Sequence, residues 1–289
     1  MLLATHTYTL VNKFGYEKAF AMIKNAGFDA VDYSLFYDPN RWLLQDDYLE
    51  KARAIRKAMD AAGLVCRQTH SPFEGAKIYR GLEYGDPWTE DCPEYLETIR
   101  GLEVSAILGA NHTVVHNLET PEGVDIMEYN YQFYKSLQPY AEKFDIKIAI
   151  ENIFSKDLEK KIFPERIGSA ENMNALYKRL NSDRFVLLVD TGHARIANIQ
   201  PQDLIRELTP GALQGLHIQD TDTTWDRHLP PYASIINWEA VMQALKDTGY
   251  QGDFTYELAA GSVPDQLAES FLAYTAAIGR YLIKRFNEM

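Results

Sequence analysis

Cysteine is scarce in this sequence: only Cys66 and Cys92 occur among 289 residues. Two unpatterned cysteines are too few for a disulfide-stapled scaffold or for a zinc site made of thiolates, so we expect free thiols. The sequence also lacks any run of eighteen or more apolar residues, which a helix needs to span a bilayer. These absences exclude disulfide scaffolds and argue against an integral membrane protein.

Positive charge is scarce as well, because 29 Lys and Arg face 41 Asp and Glu, for a formal net charge of −12. This balance disfavours nucleic acid and anionic membranes as partners, without excluding a local basic face. The first residues, MLLATHTYTLVNKFGYEK, lack the basic and apolar segments of a secretory signal, so we expect a cytoplasmic protein. The oligomeric state stays open, with a homo-oligomer among the alternatives.

Short apolar runs of strand type alternate with longer helix-type stretches along the whole chain. The strand candidates are LLATH, DAVDYS, LVCRQTH, HTVVH, IKIAIE, FVLLVD, LQGLHI and FTYEL. No GxGxxG fingerprint follows the first of them, which disfavours a doubly wound open sheet. We therefore predict an α/β protein with a single (β/α)8 TIM barrel over residues 1–289.

Turn and loop residues support this alternation. Asp46 is a plausible N-cap for the helix after it, and Gly63 and Gly27 are plausible helix ends. Connections after strands, such as SPFEGAKIYRGLEYGDPWTED, are longer than those after helices. This asymmetry places function at the carboxyl ends of the strands. The basic run KDLEKKIFPER could hold a phosphate through Lys156 or Arg166, but a solvated loop is the favoured interpretation.

Six consecutive strand candidates end in a residue that can bind metal. Because side chains alternate along a strand, the terminal residue of each shares the inward face with the residue two positions earlier. Crowded buried carboxylates repel each other unless they are protonated or bridged by cations. The residues are His70, His116, Glu151, Asp190, His217 and Glu257.

Carboxylates and imidazoles without thiolates suit manganese, magnesium, cobalt or zinc. The predicted core ligands of this divalent metal are Glu151, Asp190, His217 and Glu257. A second set could bind another metal or the substrate, and it consists of His70, His116, His193, Asp226 and His228. By contrast, His6 is as plausibly structural as functional, and His112 begins its strand and should face the bottom of the barrel.

The strings HSPFEG, VVHN, IAIEN, VDTGHA, LHIQD, DRHLPP and YEL, in this order, resemble the xylose isomerase-like superfamily of sugar phosphate isomerases and epimerases, which includes endonuclease IV. For the ketose 3-epimerase branch, the resemblance implies one metal on Glu151, Asp190, His217 and Glu257. It also implies that the two glutamates move protons and that His193 contacts the substrate.

For the endonuclease IV branch, the resemblance implies nine ligands for three zinc ions, and all nine residue types are present. Their counterparts are His70, His116, Glu151, Asp190, His193, His217, Asp226, His228 and Glu257. The chain lacks an obvious arginine-rich loop that would clamp a duplex, whereas the epimerase branch usually lacks the pair Asp226 and His228. The sequence thus lies between the two patterns.

The favoured hypothesis is a metal-dependent isomerase or epimerase of a small sugar, sugar phosphate or keto-polyol. It would act through an enediolate, with Glu151 and Glu257 as acid and base. A keto-inositol dehydratase could use the same residues. The alternatives are an abasic-site endonuclease with three zinc ions and a non-catalytic sugar-binding barrel.

Overall fold

The structure is a computed structural model, and it describes residues 1–35, 41–72, 88–120, 123–155, 165–260 and 263–289. Ten strands occur in these ranges: β1 Leu3–His6, β2 Ala30–Ser34, β3 Val65–His70, β4 His112–Val114, β5 Lys147–Glu151, β6 Ile153–Phe154, β7 Glu165–Ile167, β8 Phe185–Asp190, β9 Leu213–His217 and β10 Phe254–Tyr256. Eight of them form one parallel sheet in the order β10, β1, β2, β3, β4, β5, β8, β9.

The first and last strands of this order also meet, which closes the sheet. Ile218, directly after β9, forms a parallel bridge with Tyr256 of β10. The Ile218 amide donates to the Thr255 carbonyl at 2.8 Å. Closure satisfies the backbone groups that an open sheet would expose at its edges. The predicted (β/α)8 TIM barrel is therefore confirmed.

Helices follow each barrel strand and cover the outside of the sheet. Within the described ranges they are α1 Tyr8–Phe14, α2 Tyr16–Asn25, α3 Tyr48–Ala61, α4 Pro93–Leu108, α5 Ile126–Phe144, α6 Ala170–Leu180, α7 Thr191–Ile196, α8 Pro201–Glu207, α9 Trp238–Asp247 and α10 Ala268–Glu288. Short 3-10 helices cover Trp42–Leu44 and Asp265–Leu267. None of the described helices is both long enough and apolar enough to cross a bilayer.

Helix ends follow local chemistry in most places. Gly27 and Gly63 follow α2 and α3 with φ of 100° and 69°, a backbone conformation that glycine adopts without a steric penalty. The predicted N-cap at Asp46 is wrong, because α3 begins at Tyr48 and the cap position is Asp47, without a side-chain cap bond. The Tyr48 amide donates to the Gln45 carbonyl, so the chain is still turning at Asp46.

Because side chains alternate along each strand, one apolar core lies inside the barrel and another lies between the sheet and the helices. Val114, Ala149, Val186 and Leu188 form a small buried cluster inside the barrel. Their neighbours in the chain, such as Ile148, Ile150 and Leu187, belong to the large cluster between sheet and helices. The inward parity predicted for β4, β5 and β8 therefore holds, and it points Glu151 and Asp190, the last residues of β5 and β8, into the barrel mouth.

Candidate metal centre

The predicted ligand residues converge at the carboxyl end of the barrel. Strands β3, β5, β8 and β9 end at His70, Glu151, Asp190 and His217, and Glu257 directly follows β10. Strand β4 is shorter than predicted and ends at Val114, two residues before His116. The amide of Val115 still donates to the Ala149 carbonyl, so the chain keeps its course along β5 and brings His116 to the same mouth.

The four residues predicted as core ligands form one buried group. Glu151, Asp190, His217 and Glu257 each offer an atom within 4.8 Å of the others. His217 Nδ1 lies 2.8 Å from Glu151 Oε1 and 3.3 Å from Glu257 Oε2. Three buried carboxylates and one buried imidazole carry excess negative charge, which a divalent cation would neutralise. The residues therefore fit a hard or borderline divalent metal.

Glu151 also belongs to a second group, made with His70 and His116. His116 Nε2 lies 2.8 Å from Glu151 Oε2 and 2.9 Å from His70 Nε2. Burial lowers the pKa of both histidines, which favours the neutral rings that bind metals. Glu151 can thus place one carboxylate oxygen in each of two neighbouring groups.

His193, Asp226 and His228 form a third group at the rim. Asp226 Oδ2 lies 3.0 Å from His228 Nε2 and 3.4 Å from His193 Nε2. Burial opposes the ionised form of Asp226, but the charges of His228 and His193 hold its pKa well below the usual range. Burial would lower the pKa of His228, yet Asp226 and Glu257 raise it to about 9.

The two glutamates of the core group differ in their affinity for a proton. Burial raises the pKa of Glu257 to about 7 despite the opposing charges of His217 and His228. Burial also penalises ionised Glu151, but His217 and His116 beside it hold its pKa well below the usual range. One carboxyl thus takes up a proton near neutral pH while the other stays ionised, a difference that suits acid–base chemistry.

Two amide side chains that the sequence analysis did not single out hold Asp190 in place. Asn152 donates to the Asp190 carbonyl at 2.9 Å and accepts from the Asp190 amide at 2.7 Å. Gln219 Nε2 donates to Asp190 at 3.0 Å and to Asp226 at 2.9 Å, which links the core group to the rim group. Both amides lie inside family-like strings, IAIEN and LHIQD, one and two residues after a predicted ligand.

Asp32 is a further buried acid that the sequence analysis did not single out. It lies on β2, with Oδ2 at 3.0 Å from His217 Nε2 and accepting from Gln68 Nε2 at 2.8 Å. Burial would raise the pKa of Asp32, but the hydrogen bond and charge of His217 lower it to about 2. The available signal was an acidic residue in the interior of a strand candidate, between Val31 and Tyr33 of DAVDYS.

The remaining candidates divide by position. His6 is buried at the end of β1, and burial lowers its pKa to about 4. His112 lies at the opposite end of the barrel, as predicted, against a cavity of about 620 Å³ that contains none of the predicted ligands. Arg166 is buried, not solvated as expected, because β7 turns it inward to Asn117 and Glu119. Lys156 and most of the long connection after β3 lie outside the described residues.

A family profile described as "Xylose isomerase-like TIM barrel" matches residues 20–276. The chain is 22% identical over 271 residues to the uncharacterized protein y4fM of Sinorhizobium fredii, covering 84% of this chain and 81% of that protein. A solved D-tagatose 3-epimerase-like protein aligns with a TM-score of 0.72 and 19% identity, over 100% of this chain and 97% of the other. A D-psicose 3-epimerase solved in the presence of D-fructose aligns with a TM-score of 0.70 and 15% identity, over 98% and 99%.

Because these solved structures are only 19% and 15% identical to this chain, their likeness shows the fold alone. The profile match spans most of the sequence, and it includes every residue of the three groups at the barrel mouth. The resemblance drawn from the short strings is thereby confirmed. This chain belongs to the xylose isomerase-like TIM barrel family.

Proposed function

We propose that this protein is a metal-dependent isomerase or epimerase of a small sugar, sugar phosphate or keto-polyol. One observation carries the proposal: Glu151 and Glu257 both contact His217 Nδ1, at 2.8 and 3.3 Å, within one buried group of metal-binding type. Strands β8 and β9 separate β5 from β10 in the barrel order, so the two carboxylates approach the mouth from different sides. Epimerization needs this arrangement, because the proton leaves one face of a carbon and returns to the other.

Each residue then has a defined task. A bound divalent cation would supply the positive charge that stabilises an enediolate. Glu151 and Glu257 would remove and return the proton on the carbon next to the carbonyl. Asp190 and His217 would act as ligands only. His193, whose amide donates to Asp190 at 2.6 Å, would polarise a substrate oxygen from the rim.

Solvent isotope exchange tests this function across a whole class of candidate substrates at once. Metal-loaded protein is incubated in deuterated water with four- to six-carbon ketoses, free and phosphorylated, and with keto-polyols. We expect deuterium on the carbon next to the carbonyl of at least one compound, detected by mass spectrometry and NMR. Glu257→Gln should abolish the exchange, whereas Glu239→Gln, an exposed glutamate paired with Arg285, should preserve it. Absence of exchange across the whole panel would refute the proposal.

The rim group favours a second candidate, a metal-dependent endonuclease of abasic sites. The nine residues that match endonuclease IV ligands in the sequence lie at the mouth. In the rim group, Asp226 Oδ2 lies 3.4 Å from His193 Nε2 and 3.0 Å from His228 Nε2. Under this alternative, the rim group holds a third zinc. Under the isomerase proposal, it organises substrate and loop.

The double substitution Asp226→Ala and His228→Ala separates the two candidates. An isomerase should keep the metal bound by the core group, as measured by elemental analysis of metal per chain. A nuclease with three zinc ions should lose one zinc per chain together with cleavage of abasic DNA, because each ion needs its own ligands. Efficient cleavage by the parent protein, lost with one zinc in the variant, would replace the isomerase proposal.

A further inference from the structure

Asp32 contacts a predicted metal ligand from the side that faces away from the barrel mouth. His217 presents Nδ1 to Glu151 and Glu257, and it presents Nε2 to Asp32 at 3.0 Å. Both Asp32 and His217 are completely buried. Asp32 therefore lies on the opposite side of the imidazole from the core group and would not compete for the metal itself.

The chemistry of imidazole gives this contact a consequence. A neutral ring has one nitrogen with a lone pair and one that carries hydrogen, so a ring that binds a metal through Nδ1 must carry its hydrogen on Nε2. A carboxylate that accepts this hydrogen fixes the tautomer and the ring orientation and makes the ligand more basic. We propose that Asp32 is a positioning residue that holds His217 as an Nδ1 metal ligand. The inference rests on the proposed metal function of the core group.

Asp32 is itself held in a hydrogen-bonded string of buried side chains inside the barrel, made of Asp32, Gln68 and His112. Gln68 Nε2 donates to Asp32 Oδ2 at 2.8 Å, and Gln68 Oε1 lies 2.8 Å from His112 Nε2. Because both hydrogen-bonding ends of the Gln68 amide have partners, its orientation is fixed. Oδ2 of Asp32, the oxygen that faces His217, is thus also held by Gln68 from below, as the support of a metal ligand should be.

Gly215 leaves the space that this string occupies. A Cβ at position 215 would lie 2.7 Å from His112 Nε2 and 3.0 Å from Gln68 Oε1. Any larger residue there would have to displace the string or Leu188, whose Cδ1 would lie 2.8 Å from the added Cβ. Glycine two residues before His217 therefore leaves room at this level of the interior for the string and for Leu188.

Metal affinity tests the role of Asp32 with a readout other than activity. Chelator-stripped protein is titrated with Mn²⁺ by calorimetry and with Co²⁺ by visible absorption, for the parent, Asp32→Asn and Asp29→Asn. Loss of a support of this kind costs about 10- to 100-fold in metal affinity, so we expect a loss of that size and an altered Co²⁺ spectrum for Asp32→Asn. Asp29→Asn removes a carboxylate three positions earlier that pairs with Arg280, and it should bind as the parent does.

A second measurement needs no Asp32 variant, in case Asp32→Asn does not fold. Long-range ¹H–¹⁵N NMR of the Zn²⁺-loaded protein should show hydrogen on His217 Nε2, with a His217→Asn spectrum for assignment. Parent-like affinity and spectrum in Asp32→Asn, or a His217 ring without hydrogen on Nε2, would overturn the role of Asp32. A parent that binds no divalent metal would overturn the proposed function as well, a result distinct from either of these.

Discussion

Glu151 is the residue on which most of the site depends. Its side chain is completely buried, and its two oxygens contact His217 and His116, which belong to different groups. A carboxylate in this position has a large desolvation cost that neighbouring positive charge must offset. Both candidate functions assign it to a metal, so its substitution tests the premise that they share.

Glu151→Gln should keep the fold, weaken metal binding and abolish turnover. A neutral amide of the same shape is a poorer ligand and cannot accept the proton that a base removes. Metal per chain by elemental analysis and exchange of deuterium into a substrate found in the isotope panel measure the two effects. The exposed Glu239→Gln serves as the matched control. Full activity with unchanged metal content in Glu151→Gln would contradict the assignment.

Strands deliver these residues because their side chains alternate in direction. Along β9, Gly215 and His217 share the inward face, and the strand pairs Gly215 with Leu188 and His217 with Asp190 of β8. The barrel interior therefore holds both an apolar cluster and a polar string beneath the ligand residues at the mouth. Gly215, which has no Cβ, leaves the room that this arrangement needs.

Gly215→Ala should destabilise the protein from inside the barrel. The added Cβ would lie 2.8 Å from Leu188 Cδ1 and 2.7 Å from His112 Nε2, closer than side-chain atoms normally approach. Overpacking of a dense core costs about 1–3 kcal/mol, so the free energy of unfolding should fall by that amount. Urea unfolding in the presence of chelator measures the change without a contribution from metal. A free energy equal to that of the parent would show that the interior yields without cost.

The molecule as a whole concentrates buried negative charge at one end of the barrel. A ligand that binds the native state and not the unfolded chain stabilises the native state by mass action. At a concentration of metal about 100 times its dissociation constant, the gain is about 2.7 kcal/mol. A divalent metal bound by residues on four barrel strands should stabilise the closed barrel as a unit.

Mn²⁺ or Co²⁺ should therefore raise the melting temperature of chelator-treated protein. For a gain of this size, we expect an increase of about 4–5 °C, because an unfolding entropy of about 2.1 cal/mol/K per residue amounts to about 0.6 kcal/mol/K for 289 residues. Differential scanning fluorimetry against metal concentration measures it, and Glu151→Gln should respond weakly. A melting temperature that does not change with any of manganese, magnesium, cobalt or zinc would count against a metal at this end of the barrel.

The sequence by itself determined the barrel and the inward positions of its strand ends. The alternation of side chains and the spacing of helix and strand patterns are local properties, which do not depend on what lies next to each strand. This is why Glu151, Asp190, His217 and Glu257 could be placed together from the chain alone. The same locality explains the errors at Asp46 and at the end of β4, since turns and neighbouring strands set those ends.

Only the tertiary structure decided which polar residues support the site. Asp32 and His217 are 185 positions apart in the chain, and no local pattern links them. Asp32 pairs with Gln68 because the register between β2 and β3 shifts after Val31, next to the extra residue Arg67 on β3. Arg166 is buried because β7 pairs with β6 over the mouth and turns it towards Asn117. Register and closure are properties of the whole sheet, and they bring distant side chains within hydrogen-bonding distance.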